Sequence, residues 1–204
     1  MKDVYWASLP YPINGSEIEL NKNDDNNRVE AKSNRIYYYT EVSRGKNLSL
    51  NMKIQELSQD LITRKNNLSM DDPGKIYLHI NSYGGSVFAG VSSVDYIMNL
   101  EVPVVSVIEG CAASAATIMS VVASHRQINK HAYMLIHQLS SGMWGKYHEQ
   151  KDTMENNDRL MKMITDIYAE HTKIPKKELN NLLKHDLWWD ADTCLKYGLV
   201  DEII

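Results

Sequence analysis

Gly110-Cys111-Ala112-Ala113-Ser114-Ala115-Ala116 sets one hydroxyl among side chains too small to crowd it, between a buried strand and a helix. A serine so placed leaves room for substrate beside its Oγ, and a helix N-terminus favours the anion formed in acyl transfer. The same serine could instead cap the helix while the alanines allow close packing, and the stretch read alone fits capping better. Cys111 is a rival nucleophile, although an unpaired cysteine in an apolar run is usually buried and inert. Met134-Leu135-Ile136-His137-Gln138 ends an apolar strand with an imidazole, the base a serine needs because its hydroxyl is a poor nucleophile at neutral pH.

Two further stretches could complete such a site. Lys184-His185-Asp186-Leu187-Trp188-Trp189 sets a carboxylate before an apolar run, and a carboxylate against the second imidazole nitrogen fixes the tautomer and stabilises the imidazolium. Asp190 and Asp192 compete for that role, and periodicity does not choose among the three. Ser82-Tyr83-Gly84-Gly85-Ser86 follows a strand and precedes a helix. Paired glycines there let amide N–H groups point at a developing negative charge, or simply form a tight turn. Of the other histidines, His79 lies inside a strand as a structural residue. His125, His131, His148, His171 and His185 stand in polar surroundings that suit the surface.

The elements that must position these residues alternate. Ile36 to Thr40 is aromatic and β-branched and predicts a strand; Leu50, Ile54, Leu57 and Leu61 give a helix its apolar stripe. A strand from Lys75 to Asn81 follows the Asp72-Pro73-Gly74 turn. Then come a helix at 87–99, a strand at 104–108, a helix at 114–123 and a strand at 133–137. Strands separated by helices imply parallel pairing through crossovers, hence an α/β fold of repeated strand–helix units. A long helix is expected over Gly145 to His171, with a nearly all-polar first half that projects from the body or meets another subunit. A short helix after Pro175, a helix at 191–196 and a strand at 199–203 complete the chain. Residues 14–33 are polar without periodicity, so residues 1–34 read as an arm, flexible or axial, ahead of one domain over 35–204.

With 204 residues, 43% hydrophobic and 24% charged, the chain has the length and composition of one soluble globular domain. A net charge of -4 supplies no basic field for nucleic acid or an anionic bilayer. Two cysteines, expected as thiols, suit a reducing cytosol, and no apolar signal segment opens the chain, so a cytoplasmic location is expected. The apolar run 102–124 carries Pro103, Glu109 and many small residues, which favours strand, turn and helix over a membrane span.

Together the four stretches resemble the ClpP family, the proteolytic subunits of the Clp protease. The family's N-S-P-G-G-S-V, G-x-A-A-S-M-G and M-I-H-Q patterns are matched by Asn81 to Val87, Gly110 to Ser114 and Leu135 to Gln138. Its acidic residue is matched by Asp186 and its Y-G-L-V-D by Tyr197 to Asp201. The resemblance covers about Arg35 to Ile204. It implies Ser114 as nucleophile, His137 as general base and acid, Asp186 as orienting carboxylate, and an oxyanion hole from the backbone N–H groups of Gly85 and Ala115. It further implies a crotonase-like α/β fold in which helix 145–171 is the projecting handle. The partners it implies are copies of this chain in heptameric rings, two of them stacked into a tetradecamer, and an AAA+ unfoldase feeding unfolded polypeptide into the closed chamber. No metal or cofactor is expected in this chain, ATP being used only by the partner unfoldase. Ala115 stands where the family usually has Met, Ala116 where it has Gly, and Tyr83 where it has Pro. Residues 1–34 do not resemble the family's axial segment.

A serine endopeptidase acting through an acyl-enzyme is the reading these residues favour. A catalytically silent ring subunit that assembles with active relatives is the alternative, against which all three triad residues stand. A crotonase-type acyl-CoA enzyme would share the fold and the backbone oxyanion hole but would use carboxylates in place of the serine.

Overall fold

The computed structural model describes residues 28–204, so most of the arm at 1–34 lies outside the described residues. The strands are β1 (Arg28–Lys32), β2 (Arg35–Tyr39), β3 (Ile76–Ser82), β4 (Val104–Ala113), β5 (His125–Ile128), β6 (Tyr133–Leu135), β7 (Trp188–Trp189) and β8 (Glu202–Ile203). The helices are α1 (Arg44–Asn67), α2 (Val87–Met98), α3 (Ala115–Val121), α4 (Tyr147–His171), α5 (Lys176–Leu182) and α6 (Ala191–Tyr197). One sheet runs β1-β2-β3-β4-β5-β8, and β6 pairs with both β4 and β7. From β2 to β8 the pairing along this path is parallel, as expected where helices carry the crossovers.

Alternation along the strands separates two faces. Ile36 and Tyr38 of β2 and Ile76, Leu78 and Ile80 of β3 are fully buried, in one core with Leu50 and Ile54 of α1 and Ile118 and Met119 of α3. The opposite face carries a polar and aromatic network. His79 Nδ1 lies 2.8 Å from Glu109 Oε1, and Arg35 Nη1 lies 2.8 Å from His79 Nε2. A guanidinium only donates, so Nε2 accepts and Nδ1–H donates to the carboxylate. Tyr37 stacks on the ring at 4.7 Å, making His79 the structural histidine expected.

The structure extends or adds several elements. Arg28–Lys32, assigned from sequence to the arm, is an edge strand antiparallel to β2; only Val29 in it is buried, so it carries no apolar alternation to read. β5 was not expected, because three of its four residues are polar and half-buried. α1 begins at Arg44, where its early buried residue is Asn47, an amide bonded to Tyr38, Ala89 and Ser93. β4 runs five residues past Ile108, through a register shift against β3 between Ile80 and Ser82.

α4 spans 25 residues, about 38 Å at the α-helical rise. Its buried residues, Ile164, Thr165 and Tyr168, all lie in its second half. The first half stands out from the body, as its polar composition predicts. Among the described residues no helix is long and apolar enough to cross a membrane.

Candidate active site

Ser114 sits between the last residue of β4 and the first of α3 with φ 59° and ψ −129°, a conformation that costs a non-glycine residue about 1–3 kcal/mol. It occupies the N-cap position, yet its hydroxyl makes no capping hydrogen bond; the cap role that the stretch alone suggested is not taken. Instead Oγ is buried and forms no hydrogen bond among the described residues. The elbow is held by its backbone. Ser114 N–H donates to Leu135 C=O at 2.9 Å, which lays the serine against the end of β6, two residues before His137.

β7 then fixes what His137 meets. It pairs antiparallel with β6, Leu135 opposite Trp188 and Met134 opposite Trp189. Continuing that register two residues brings residue 137 opposite residue 186. A backbone bond from Gln138 N–H to Leu183 C=O, 2.6 Å, stitches the same strand end to the end of α5. His137 Nδ1 lies 2.7 Å from Asp186 Oδ1. A carboxylate accepts only, so Nδ1 carries the proton and the Nε2 lone pair is turned away from the aspartate. His137 is 8% exposed, whereas the Asp186 side chain is 76% exposed. Burial pushes the imidazole pKa below its ordinary value, and the hydrogen bond and charge of Asp186 push back only in part.

The competing groups are engaged elsewhere. Asp190 caps α6, accepting from Thr193 N–H at 2.9 Å, and those bonds hold its carboxyl below the usual range. Asp192 stands in the first turn of α6, where a carboxylate suits the helix dipole. Burial raises the Cys111 thiol pKa, which disfavours the nucleophilic thiolate, and its Sγ lies 3.7 Å from Asn81 Oδ1.

Gly84 borders Ser114 directly. A Cβ on Gly84 would fall 2.6 Å from Ser114 Cβ and 3.1 Å from Ala115 N, so this backbone comes where no side chain fits. Behind it, Val42 bridges the loop: its N–H donates to Gly84 C=O and its C=O accepts from Ser86 N–H, both at 2.8 Å. The described chain has no cis peptide bond. In a trans peptide the C=O and N–H point in opposite directions, so with Gly84 C=O held on Val42 the Gly85 N–H points away from it. Ala115, first residue of α3, has an N–H with no acceptor inside its helix. The Gly85 N–H thus lies in a peptide whose carbonyl is tied back to Val42, and the Ala115 N–H belongs to the residue that follows Ser114. Val42 was not singled out from sequence; it is one valine among many, and its bridging is a backbone property.

Of the five residues that sequence analysis proposed, His137 and Asp186 are hydrogen-bonded, Ser114 and Ala115 are consecutive where β4 passes into α3, and Gly85 stands in the loop bridged by Val42, next to the Gly84 that abuts Ser114. Among the described residues no group of three histidines, cysteines or carboxylates is arranged to hold a metal ion.

Comparison with known proteins gives the same answer along most of the chain. The model of the Clp protease family matches residues 30–204. The chain is 34% identical over 157 residues to ATP-dependent Clp protease proteolytic subunit 1 of Chlamydia pneumoniae, covering 74% of this chain and 81% of that one. It is 28% identical over 138 residues to the ATP-dependent Clp protease proteolytic subunit of Deinococcus radiodurans, covering 67% and 68%. It is 31% identical over 140 residues to that of Porphyromonas gingivalis, covering 67% and 63%. By family match, by relatives and by fold, the chain belongs to the Clp protease family, as a proteolytic subunit of the serine peptidase type.

Proposed function

We propose that this chain is a serine endopeptidase that hydrolyses unfolded polypeptide through an acyl-enzyme, with Ser114 as nucleophile, His137 as general base and acid, and Asp186 as orienting carboxylate. The observation that carries it is the His137–Asp186 hydrogen bond standing beside a buried, uncapped Ser114. In acylation, Ser114 Oγ gives its proton to His137 Nε2 as the Oγ–C bond forms, and the carbonyl electrons move onto oxygen. The Gly85 and Ala115 N–H groups receive that oxyanion. Its collapse breaks the C–N bond, and the Nε2 proton leaves on the departing amine. Water then gives a proton to His137 Nε2 as it attacks the acyl carbon, and collapse breaks the C–Oγ bond while the Nε2 proton returns to Ser114 Oγ, releasing the new carboxyl end. The Ser114–His137 contact closes when substrate tightens the site, a common behaviour of such bonds. The chain needs no cofactor or metal for these steps.

The polar first half of α4, exposed in the single chain, supports assembly as two heptameric rings joined through that helix around a closed chamber. An AAA+ unfoldase would feed the chamber and consume the ATP, in keeping with the ATP-dependent relatives. The complex would work in the cytoplasm, without nucleic acid or membrane partners.

Labelling by a fluorophosphonate probe tests the chemistry. Wild type is expected to label and Ser114→Ala to lose the label completely; equal labelling removes Ser114 from the mechanism, and no labelling of an assembled wild type leaves a silent ring subunit. Mass in solution tests assembly: fourteen 23.4 kDa chains give about 330 kDa, and a strict monomer would remove the chamber.

A further inference from the structure

Behind the nucleophile elbow lies a second set of polar side chains that the chemistry above does not use. Thr117 Oγ1 donates to Ser114 C=O at 2.6 Å, and Thr117 N–H donates to the same oxygen at 2.9 Å. The Tyr168 hydroxyl, from the buried half of α4, lies 2.5 Å from Thr117 Oγ1. Thr117 has one hydroxyl proton and spends it on Ser114 C=O, so Tyr168 is the donor to Thr117. Both residues are fully buried, and burial keeps the Tyr168 phenol protonated by raising its pKa. The chain of donors is therefore directional: Tyr168 to Thr117 to the carbonyl of Ser114.

That carbonyl belongs to the same peptide plane as the Ala115 N–H, and the two point in opposite directions. Fixing the one aims the other. The plane is also the one that follows the strained Ser114 φ and ψ, so without support it would relax toward an ordinary conformation. We propose that Thr117 and Tyr168 are positioning residues for catalysis, holding the Ser114–Ala115 peptide so that its N–H faces the oxyanion. Through Tyr168 the projecting helix α4 is thereby wired to the oxyanion donor, and a shift of that helix changes the aim of the amide. The proposal rests on the peptidase reading of Ser114 and Ala115 given above.

The test compares the assembled wild type with Thr117→Val, Thr117→Ser and Tyr168→Phe, reading fluorophosphonate labelling rate, kcat and KM on a fluorogenic peptide, and Tm. Thr117→Val and Tyr168→Phe are expected to lower kcat and labelling rate about tenfold or more with KM held within about twofold, since the lost interaction acts on the transition state. Thr117→Ser, which keeps the hydroxyl, is expected to recover most of the rate. The double variant Thr117→Val with Tyr168→Phe should lose little beyond Thr117→Val alone, because the two act in series. If the two hydroxyl-removing variants label as fast as wild type, or if Thr117→Ser loses as much as Thr117→Val, the positioning role is overturned while the Ser114 reading stands. A parallel rise in KM with a fall in Tm and unchanged kcat also overturns it, as a packing effect. Absence of labelling in wild type overturns both. Should Thr117→Val fail to fold, Tyr168→Phe, which keeps the ring, decides.

Discussion

The site has two walls, and they are built differently. The amide wall, Gly84–Gly85 and Ser114–Ala115, is made of backbone in conformations that few residues tolerate, and is held from behind by Val42 on one side and Thr117 on the other. The relay wall, His137 and Asp186, is made of side chains just beyond the short paired strands β6 and β7, and its carboxylate is open to water. One wall is set by folding; the other is adjustable after it. The difference separates stability from activity: damage to the amide wall should cost both, and damage to the relay wall should cost activity with little change in stability.

The largest effect is expected from Gly85→Ala. Its φ of 145° is strained for alanine, and the new Cβ would lie 2.3 Å from Val42 C=O, a backbone atom that cannot swing aside. Urea denaturation is expected to show a loss of about 2–4 kcal/mol. Peptide hydrolysis is expected to fall about a hundredfold or more if the Gly85 N–H is the oxyanion donor proposed above. A variant with wild-type stability and rate would mean that the Val42 brace does not hold the loop, and the contrast between the walls would fail.

Asp186→Asn probes the other wall. Amide for carboxylate removes the acceptor that selects the Nδ1–H tautomer, so kcat is expected to drop about a hundredfold or more. The bond it alters joins a neutral imidazole to a carboxylate open to water and contributes about 1 kcal/mol, so the denaturation midpoint should move little. The pH profile sharpens the point. In the proposed mechanism the base works as neutral imidazole, and burial lowers the His137 pKa from 6.5, so the acid limb of kcat/KM should have its midpoint below that value. Asp186 contributes the two opposing, raising effects; its replacement should carry the limb further down while the plateau falls. A limb at or above 6.5 in wild type would show that substrate-free His137 is not the buried group described here.

Much of this was legible in the sequence, for physical reasons that differ by residue. The strand–helix alternation and the projecting helix follow from apolar spacing, because β3 and the second half of α4 bury the residues their periodicity marks. Ser114, His137 and the glycine pair were marked by residue type at strand ends. Their roles were not, since an isolated serine before a helix reads as a cap and a glycine pair as a turn. Only the positive φ at Ser114 and its uncapped hydroxyl separate those cases, and no local pattern in a non-glycine residue encodes that φ. The choice of Asp186 over Asp190 depends on the β6–β7 register, which is a long-range property, and Asp190 is taken by its cap. β1 escaped notice because an edge strand with one buried residue has no alternation to show.

The smallest expected effect falls where the walls touch. Tyr83, the residue before Gly84, meets Trp188, two residues after Asp186, edge to face at 6.3 Å, and both rings are largely open to solvent at 70% and 44% exposure. Since Tyr83 precedes the Gly84 that abuts Ser114, this ring pair would offer an apolar surface to a substrate residue next to the scissile bond. Such a contact is worth about 1 kcal/mol, or roughly fivefold in rate. Tyr83→Ala is therefore expected to lower kcat/KM about fivefold for peptides with a large apolar residue at that position and to leave alanine peptides nearly unchanged. The rate of labelling by a small fluorophosphonate, which does not reach the pair, should stay within about twofold of wild type. An equal loss on every peptide and on the probe would place Tyr83 in the amide wall as a support for Gly84, and the two walls would then share one more backbone constraint in place of a substrate contact.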